Sequence, residues 1–229
     1  MPSTQVATWP GLLALPSRSS LTEDVYEAIK ASIMDNVIPP EGRLSIDGLA
    51  RDLGVSATPI REALVRLESE DLVQKEPLRG YTTTPLLTVS QVNDLFEFRG
   101  IIEPWSAGRA AQQIDSDGLA RLEAELESVT TVPVGEGYAA YRELASQDHR
   151  FHRLIAELAG NSEVVQAFAR TQCHWRLFRL GYSHDQGNAT LVEHHAIASA
   201  ISQRDVGAAN AAMAEHLALA RQRLGERQP

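Results

Sequence analysis

The stretch L49-A-R-D-L-G-V-S-A-T-P-I-R-E-A-L-V-R-L-E-S-E-D-L-V73 sets the reading of the whole chain. Its middle is a turn: Gly54 breaks one short helical pattern, Ser56 is a good N-cap, and Pro59 sits where a helix's first turn tolerates it. In the helix that follows, Ile60, Ala63, Leu64 and Leu67 share one face at helical spacing. Thr58, Arg61, Val65 and Ser69 fall on the other. A short helix, a tight turn and a helix with a polar outer face make a helix-turn-helix. In that motif the N-terminal residues of the second helix enter the major groove, where Arg61 can meet guanine O6 and N7 or a phosphate, and Ser56 and Thr58 can donate to phosphate.

The flanks extend the motif. Upstream, a helix is expected over 21–36, with Val25, Ile29 and Ile33 inward and "VIPPEG" as its stop, and a short helix over 45–53. Downstream, "LVQKE" and "GYTTTP" on either side of "PLR" read as the one β hairpin, with Gly80 near its tip and Pro85 closing the unit. Helix, helix, turn, helix, hairpin is the layout of a winged helix-turn-helix, placed at 19–86. Beyond "TPLLTVS" every periodic segment is helical: 89–114, 117–130, 137–160, 162–181, 188–203 and 206–224, with breaks at turn-forming residues. The fold class is therefore mainly α. An N-terminal winged helix-turn-helix is followed at 87–229 by an all-helical bundle for metal and effector binding and for dimerisation, and residues 1–18 form a flexible tail.

Composition narrows the classes of function. The 229 residues carry a formal net charge of −9, which opposes nonspecific binding to polyanions. Residues 19–86 hold seven Lys or Arg against twelve Asp or Glu, but Arg51, Arg61, Arg66, Lys75 and Arg79 fall on the motif or the wing, while Glu23, Asp24 and Glu27 lie on the first helix. No run of 18 apolar residues and no basic leader is present, so a cytoplasmic protein without a membrane partner is expected. Cys173 is the only cysteine; it excludes an intrachain disulfide and a thiolate zinc finger, and reads as a buried thiol.

The second unusual stretch is Q147-D-H-R-F-H-R-L-I-A-E-L-A-G-N161. Asp148 and His152 fall within an apolar helical stripe of Tyr141, Leu144, Phe151, Ile155 and Leu158. A buried carboxylate is costly unless it is paired or bound to a cation. All seven histidines follow residue 148. His216 lies in the stripe of the last helix, and either His194 or His195 points inward from "LVEHHAIASAI"; periodicity alone leaves that pair open. Three helices each aiming an imidazole inward, one with a carboxylate a turn away, suit a divalent transition metal such as Zn, Ni, Mn or Fe, with zinc favoured. The alternative is four core residues, each hydrogen-bonded to a neighbour. His149 lies off the stripe, and Asn161 reads as a helix cap.

The 49–73 segment followed by "RGY" resembles the winged helix of GntR-family bacterial transcription regulators, over about residues 21–84. The family usually reads LGVSR-TPVREAL; here Ala57 replaces the arginine after the serine, and Asp47 stands near where some relatives carry a base. The resemblance implies DNA contacts from Ser56, Thr58 and Arg61, joined by Arg51, and a wing near Arg79 and Gly80 reaching the minor groove or backbone. "DHRFHRLIAELAGN", "EHHAIASAI" and "MAEHLALAR" look like the signature segments of the FCD domain of the FadR subgroup. That resemblance implies Asp148, His152, His194 and His216 as metal ligands, choosing His194 over His195. Four ligands leave about two positions of a six-coordinate ion for waters or an effector carboxylate. "LFEFRGIIEP" resembles the domain's first helix, which implies that Arg99 faces the pocket and pairs with an anionic effector; an Arg99–Glu103 ion pair within the helix is the alternative.

The expected function is a DNA-binding transcription regulator, a repressor. A homodimer presents two recognition helices to double-stranded operator DNA, and a small carboxylate effector modulates binding. The rivals are a metal-dependent enzyme that uses the winged helix to dimerise, and an architectural protein with an empty bundle.

Overall fold

The computed structural model describes residues 19–77, 80–132, 135, 137–181 and 184–225. The expected tail and Arg79 lie outside these residues. Three helices, α1 (Ser19–Met34), α2 (Ile46–Asp52) and α3 (Ala57–Ser69), precede the strands β2 (Val73–Glu76) and β3 (Gly80–Thr83). The hairpin has a third strand that periodicity misses, β1 (Arg43–Leu44), because two residues are too few to show alternation. It pairs antiparallel with β3 through Arg43↔Thr82 and Leu44↔Tyr81, giving the order β1-β3-β2.

Sequence patterning accounts for the core here. Val25, Tyr26, Ile29 and Ile33 of α1 meet Ile60, Ala63, Leu64 and Leu67 of α3, with Leu72, Val73 and Tyr81 from the sheet. Ser45 caps α2 by accepting from Gly48 N. Ser56 precedes α3 without a side-chain cap bond, so its exposed hydroxyl is left for another partner.

Among the described residues seven helices follow: α4 (Val89–Gln113), α5 (Ser116–Glu127), α6 (Tyr138–Leu158), α7 (Ser162–Thr171), α8 (Cys173–Phe178), α9 (His184–Ser202) and α10 (Val206–Gly225). Thr88 and Gln91 form a reciprocal capping box on α4. Asn161 accepts from Glu163 N and Val164 N, so it caps α7. Ala107, Ala110, Phe151, Ile155, Ile197, Ile201, Met213 and Leu217 fill the space between α4, α6, α9 and α10.

One expectation is corrected. The helix expected over 162–181 is two helices, α7 and α8, because Gln172 adopts the left-handed conformation (φ 44°). No Gly or Pro marks the break. Thr171 supports it, its hydroxyl donating to Phe168 O at 2.7 Å and accepting from Cys173 N at 3.3 Å. The break reorients everything after it, including His174.

Candidate metal centre and nucleic-acid interface

The four residues expected to ligate a metal come together from three helices. Asp148 and His152 project from α6, His194 from α9 and His216 from α10; all are buried, and one ligand atom from each lies within 4.8 Å of the others. His195 is exposed, so of the pair the fold turns His194 inward, because His194 shares the face of Leu191, Ala198 and Ile201.

The separations within the cluster bear on both readings, an ion and a hydrogen-bonded core. His152 Nε2 and His216 Nε2 face each other at 3.2 Å. Each ring's Nδ1 is already engaged, His152 with Glu103 Oε2 at 2.5 Å and His216 with Glu193 Oε2 at 2.7 Å. An ionised carboxylate only accepts, so both Nδ1 atoms donate, which leaves each Nε2 as the atom free to bind an ion or to share a proton with the other ring. His194 is fully buried and neither of its nitrogens has a hydrogen-bond partner, although Nε2 lies 3.4 Å from Asp148 Oδ1. Ligand atoms ~2.0–2.1 Å from a shared ion lie about 3.0–4.2 Å apart. The separations of 3.2, 3.4 and, for His152 Nε2 to Asp148 Oδ1, 3.8 Å fall in that range.

Burial and charge set the protonation of the cluster. Burial would raise the Asp148 carboxyl, but the imidazoles of His174, His194 and His152 outweigh it and hold Asp148 well below the usual carboxylate range. Burial pushes His194 down to about 3, and lowers His216 as well, which keeps both rings neutral and able to ligate. Two parallel chains orient the facing rings. Arg99 Nε donates to Glu103 Oε1 at 2.5 Å, and Arg223 Nη1 and Nη2 donate to Glu193 at 2.6 and 2.9 Å. Each chain runs arginine, glutamate, histidine, the arrangement that fixes tautomer and ring orientation in metal sites.

Sequence reasoning missed His174, Glu193 and Arg223, and the second partner of Glu103. His174 on α8 is buried, its Nε2 3.4 Å from Asp148 Oδ2 and 3.4 Å from Arg99 Nη2. Only the unmarked break at Gln172 turns it inward. Glu103 was anticipated as the partner of Arg99 alone, and Glu193, with Arg223, was not singled out; their pairing to histidines spans helices distant in sequence. Arg99 forms the ion pair with Glu103 within its helix, and its side chain also lines a cavity of about 90 Å³ together with Asp148, His174, His216, Thr190 and Arg223. His149 gains a packing role, 5.7 Å between ring centroids from Trp175. Cys173 is buried, as expected, and burial raises its thiol to about 11.

On the winged helix, Arg51, Ser56, Thr58, Arg61 and Gly80 are all exposed. Gly80 opens β3 at φ 88°, a conformation that L side chains rarely adopt. Among the described residues Arg61 has no ion pair, whereas Arg66 pairs with Glu23 at 2.7 Å and lies over the Tyr26 ring at 3.6 Å. Arg66 is thus tied to α1 and is withdrawn from the basic face the sequence suggested. No helix among the described residues is long and apolar enough to cross a membrane.

Known proteins agree with this architecture. Residues 21–82 match the family described as bacterial regulatory proteins, gntR family, and residues 94–219 match the FCD domain. The chain is 29% identical to an HTH-type transcriptional regulator from an unstable DNA locus of Streptomyces ambofaciens, across 85% of this chain and 80% of that one. It is 26% identical to the HTH-type transcriptional repressor RspR of Escherichia coli, across 86% of each. The solved structure of E. coli McbR/YncC superposes with a TM-score of 0.63 at 20% identity, covering 90% of this chain and 98% of that one, which supports the fold. These relatives are transcriptional regulators, not enzymes. FCD domains commonly bind metals, and GntR regulators bind operator DNA and are typically dimers. The chain belongs to the gntR family of bacterial regulatory proteins, in the group that carries an FCD domain, and is a transcription regulator.

Proposed function

We propose that the protein is a cytoplasmic, homodimeric repressor whose operator affinity is set by a small carboxylate effector bound beside a divalent transition metal. Residues 19–86 form the DNA-reading head and residues 87–229 the sensing and dimerising body. Asp148, His152, His194 and His216 would hold the ion, zinc being favoured, and the ion would supply a positive, Lewis-acidic anchor for the effector's carboxylate.

The observation that carries this reading is the pair of Nε2 atoms facing each other at 3.2 Å beside a buried His194 without a hydrogen-bond partner. Hydrogen bonding leaves the buried His194 ring unsatisfied in the interior, which is costly, whereas an ion between the rings would take the Nε2 atoms of all three. The cavity beside them is lined by Arg99 and Arg223, each already neutralised in part by a glutamate, and by the hydroxyl-bearing Thr190. A bound anion there gains orientation from the guanidinium groups, while Leu177, Ala220 and Leu224 supply an apolar wall.

On the DNA side, Ser56, Thr58 and Arg61, at the start of α3, would make major-groove and phosphate contacts, and Arg51, Arg79 and Gly80 would add contacts to the backbone or minor groove. Repression is the reading carried over from the similarity to RspR.

Metal analysis of chelator-free protein tests the centre. One tightly held ion per chain is expected, lost in Asp148→Ala and His194→Ala. Wild-type protein that stays metal-free in micromolar zinc, nickel and manganese would falsify the metal assignment.

A further inference from the structure

We propose that α8 is the element that couples occupancy of the cavity to the winged helix, with Trp175 on Lys30 as its main contact; this rests on reading the cavity as the effector site. The helix has two working faces. His174, Leu177 and Phe178 line the cavity, and His174 Nε2 sits 3.4 Å from Asp148 Oδ2. The opposite face meets the winged helix at three points. The Lys30 ammonium lies 3.2 Å from the centroid of the Trp175 ring, Arg176 Nε lies 3.2 Å from Asp71 Oδ2, and just past the helix Arg179 Nη1 donates to Thr84 O at 3.0 Å and Thr84 Oγ1 at 2.8 Å.

These three contacts fall on separate parts of the DNA-binding unit. Lys30 belongs to α1 and also donates to Tyr26 Oη at 2.7 Å and to Glu70 Oε2 at 2.8 Å. Glu70 is the C-cap residue of α3 and Asp71 follows it directly, so the end of the recognition helix is joined to α8 through Lys30 and Arg176. Thr84 follows β3 and begins the connection to α4. The six-residue helix and Arg179 just beyond it therefore reach the first helix, the residue after the C-cap of the third, and the exit from the sheet.

Its boundaries let it move as a unit. Gln172 at its start has φ 44° and Gly181 shortly after its end has φ 122°, so the helical hydrogen-bond ladder is interrupted on both sides. His174 and Trp175 are adjacent on one turn. A ligand that pushes on His174 or Leu177, or a group that competes with His174 for Asp148, cannot shift the one face without shifting the indole on the other. Arg179 is held less fully than its burial would suggest, since its Nε and Nη2 are buried without hydrogen-bond partners.

Zinc alone is the probe. In the full-length protein, calorimetry measures zinc affinity while amide hydrogen exchange is followed in residues 21–34 and 66–72, without and with zinc. Wild-type exchange in both segments is expected to change on zinc binding. In Lys30→Met, which keeps the stem's length, and separately in the conservative Trp175→Phe, zinc affinity is expected to stay within about twofold while the exchange response falls by roughly fivefold or more, the low end of ordinary coupling. Zinc binding with no exchange change in the wild type, or with an undiminished change in both variants, overturns the coupling role of α8. Absence of zinc binding to the wild type overturns the metal reading itself, and this proposal with it.

Discussion

His152 and His216 meet Nε2 to Nε2 at 3.2 Å, each ring held from behind by a glutamate that an arginine in turn holds. The two chains are separable from the ligands themselves. Glu103→Gln and Glu193→Gln keep the side-chain volume but replace an ionised acceptor with an amide, so ring orientation and basicity fall. Each is expected to lower metal affinity about 10- to 100-fold, read by competition with a chromophoric chelator, while circular dichroism stays unchanged. Affinity equal to wild type in both would remove the glutamates from the site.

Glu193 also gives a pH dependence of stability. Burial raises its pKa, but the hydrogen bonds from His216 and Arg223 prevail and bring it from 4.5 down to about 2. A carboxyl depressed on folding contributes stability that is present in full above its unfolded pKa and is lost as the pH falls through its folded one. Denaturant unfolding of metal-free wild type and Glu193→Gln is expected to show wild type the more stable above pH 4.5, the gap closing as the pH approaches 2. A gap that widens on acidification contradicts this assignment.

Arg61 and Arg66 lie on the same helix but have different fates. Arg61 is exposed without an ion pair among the described residues, whereas Arg66 is paired to Glu23 and stacked on Tyr26. With a fragment selected from random DNA, Arg61→Ala is expected to cost ~1–3 kcal/mol if it reads guanine, or to reduce the salt slope by about one if it meets phosphate. Arg66→Ala is expected to leave the salt slope unchanged. Equal effects of the two would place the DNA face elsewhere on α3.

Cys173 is buried beside His174, its sulfur 3.3 Å from Nδ1, with the thiol raised to about 11. The thiolate is the reactive form. Native protein at pH 8 is therefore expected to react with a disulfide reagent only after adding denaturant, with one thiol appearing per chain; rapid labelling of native protein would show that α8 opens readily.

Local physics made much of this legible in the residues. The spacing of Ile60, Ala63, Leu64 and Leu67 determined which side of α3 faces the core, and so which side offers Thr58 and Arg61 to DNA. The stripe through Tyr141, Phe151 and Ile155 required Asp148 and His152 to point inward, because a helix puts i and i+4 on one face. Burial of an acid then implied a cationic or imidazole partner. The choice of His194 over His195 came from family resemblance, since the two sit only ~100° apart on the wheel, and the fold places His194 inward.

Tertiary structure alone decided the rest. The strand β1 exists because β3 offers it an edge, not because two residues alternate. The Glu103–His152 and Glu193–His216 pairs join positions 49 and 23 residues apart, and no local period encodes such a distance. His174 reaches the site only because Gln172 takes a left-handed conformation that nothing in its identity demands, supported by the hydrogen bonds of the Thr171 hydroxyl. The same break makes α8 a separate helix, with the candidate metal centre on one face and the winged helix on the other. A sequence specifies which face of each helix is apolar; which helices meet, and which polar groups they bring within bonding distance, depends on how those faces pack together.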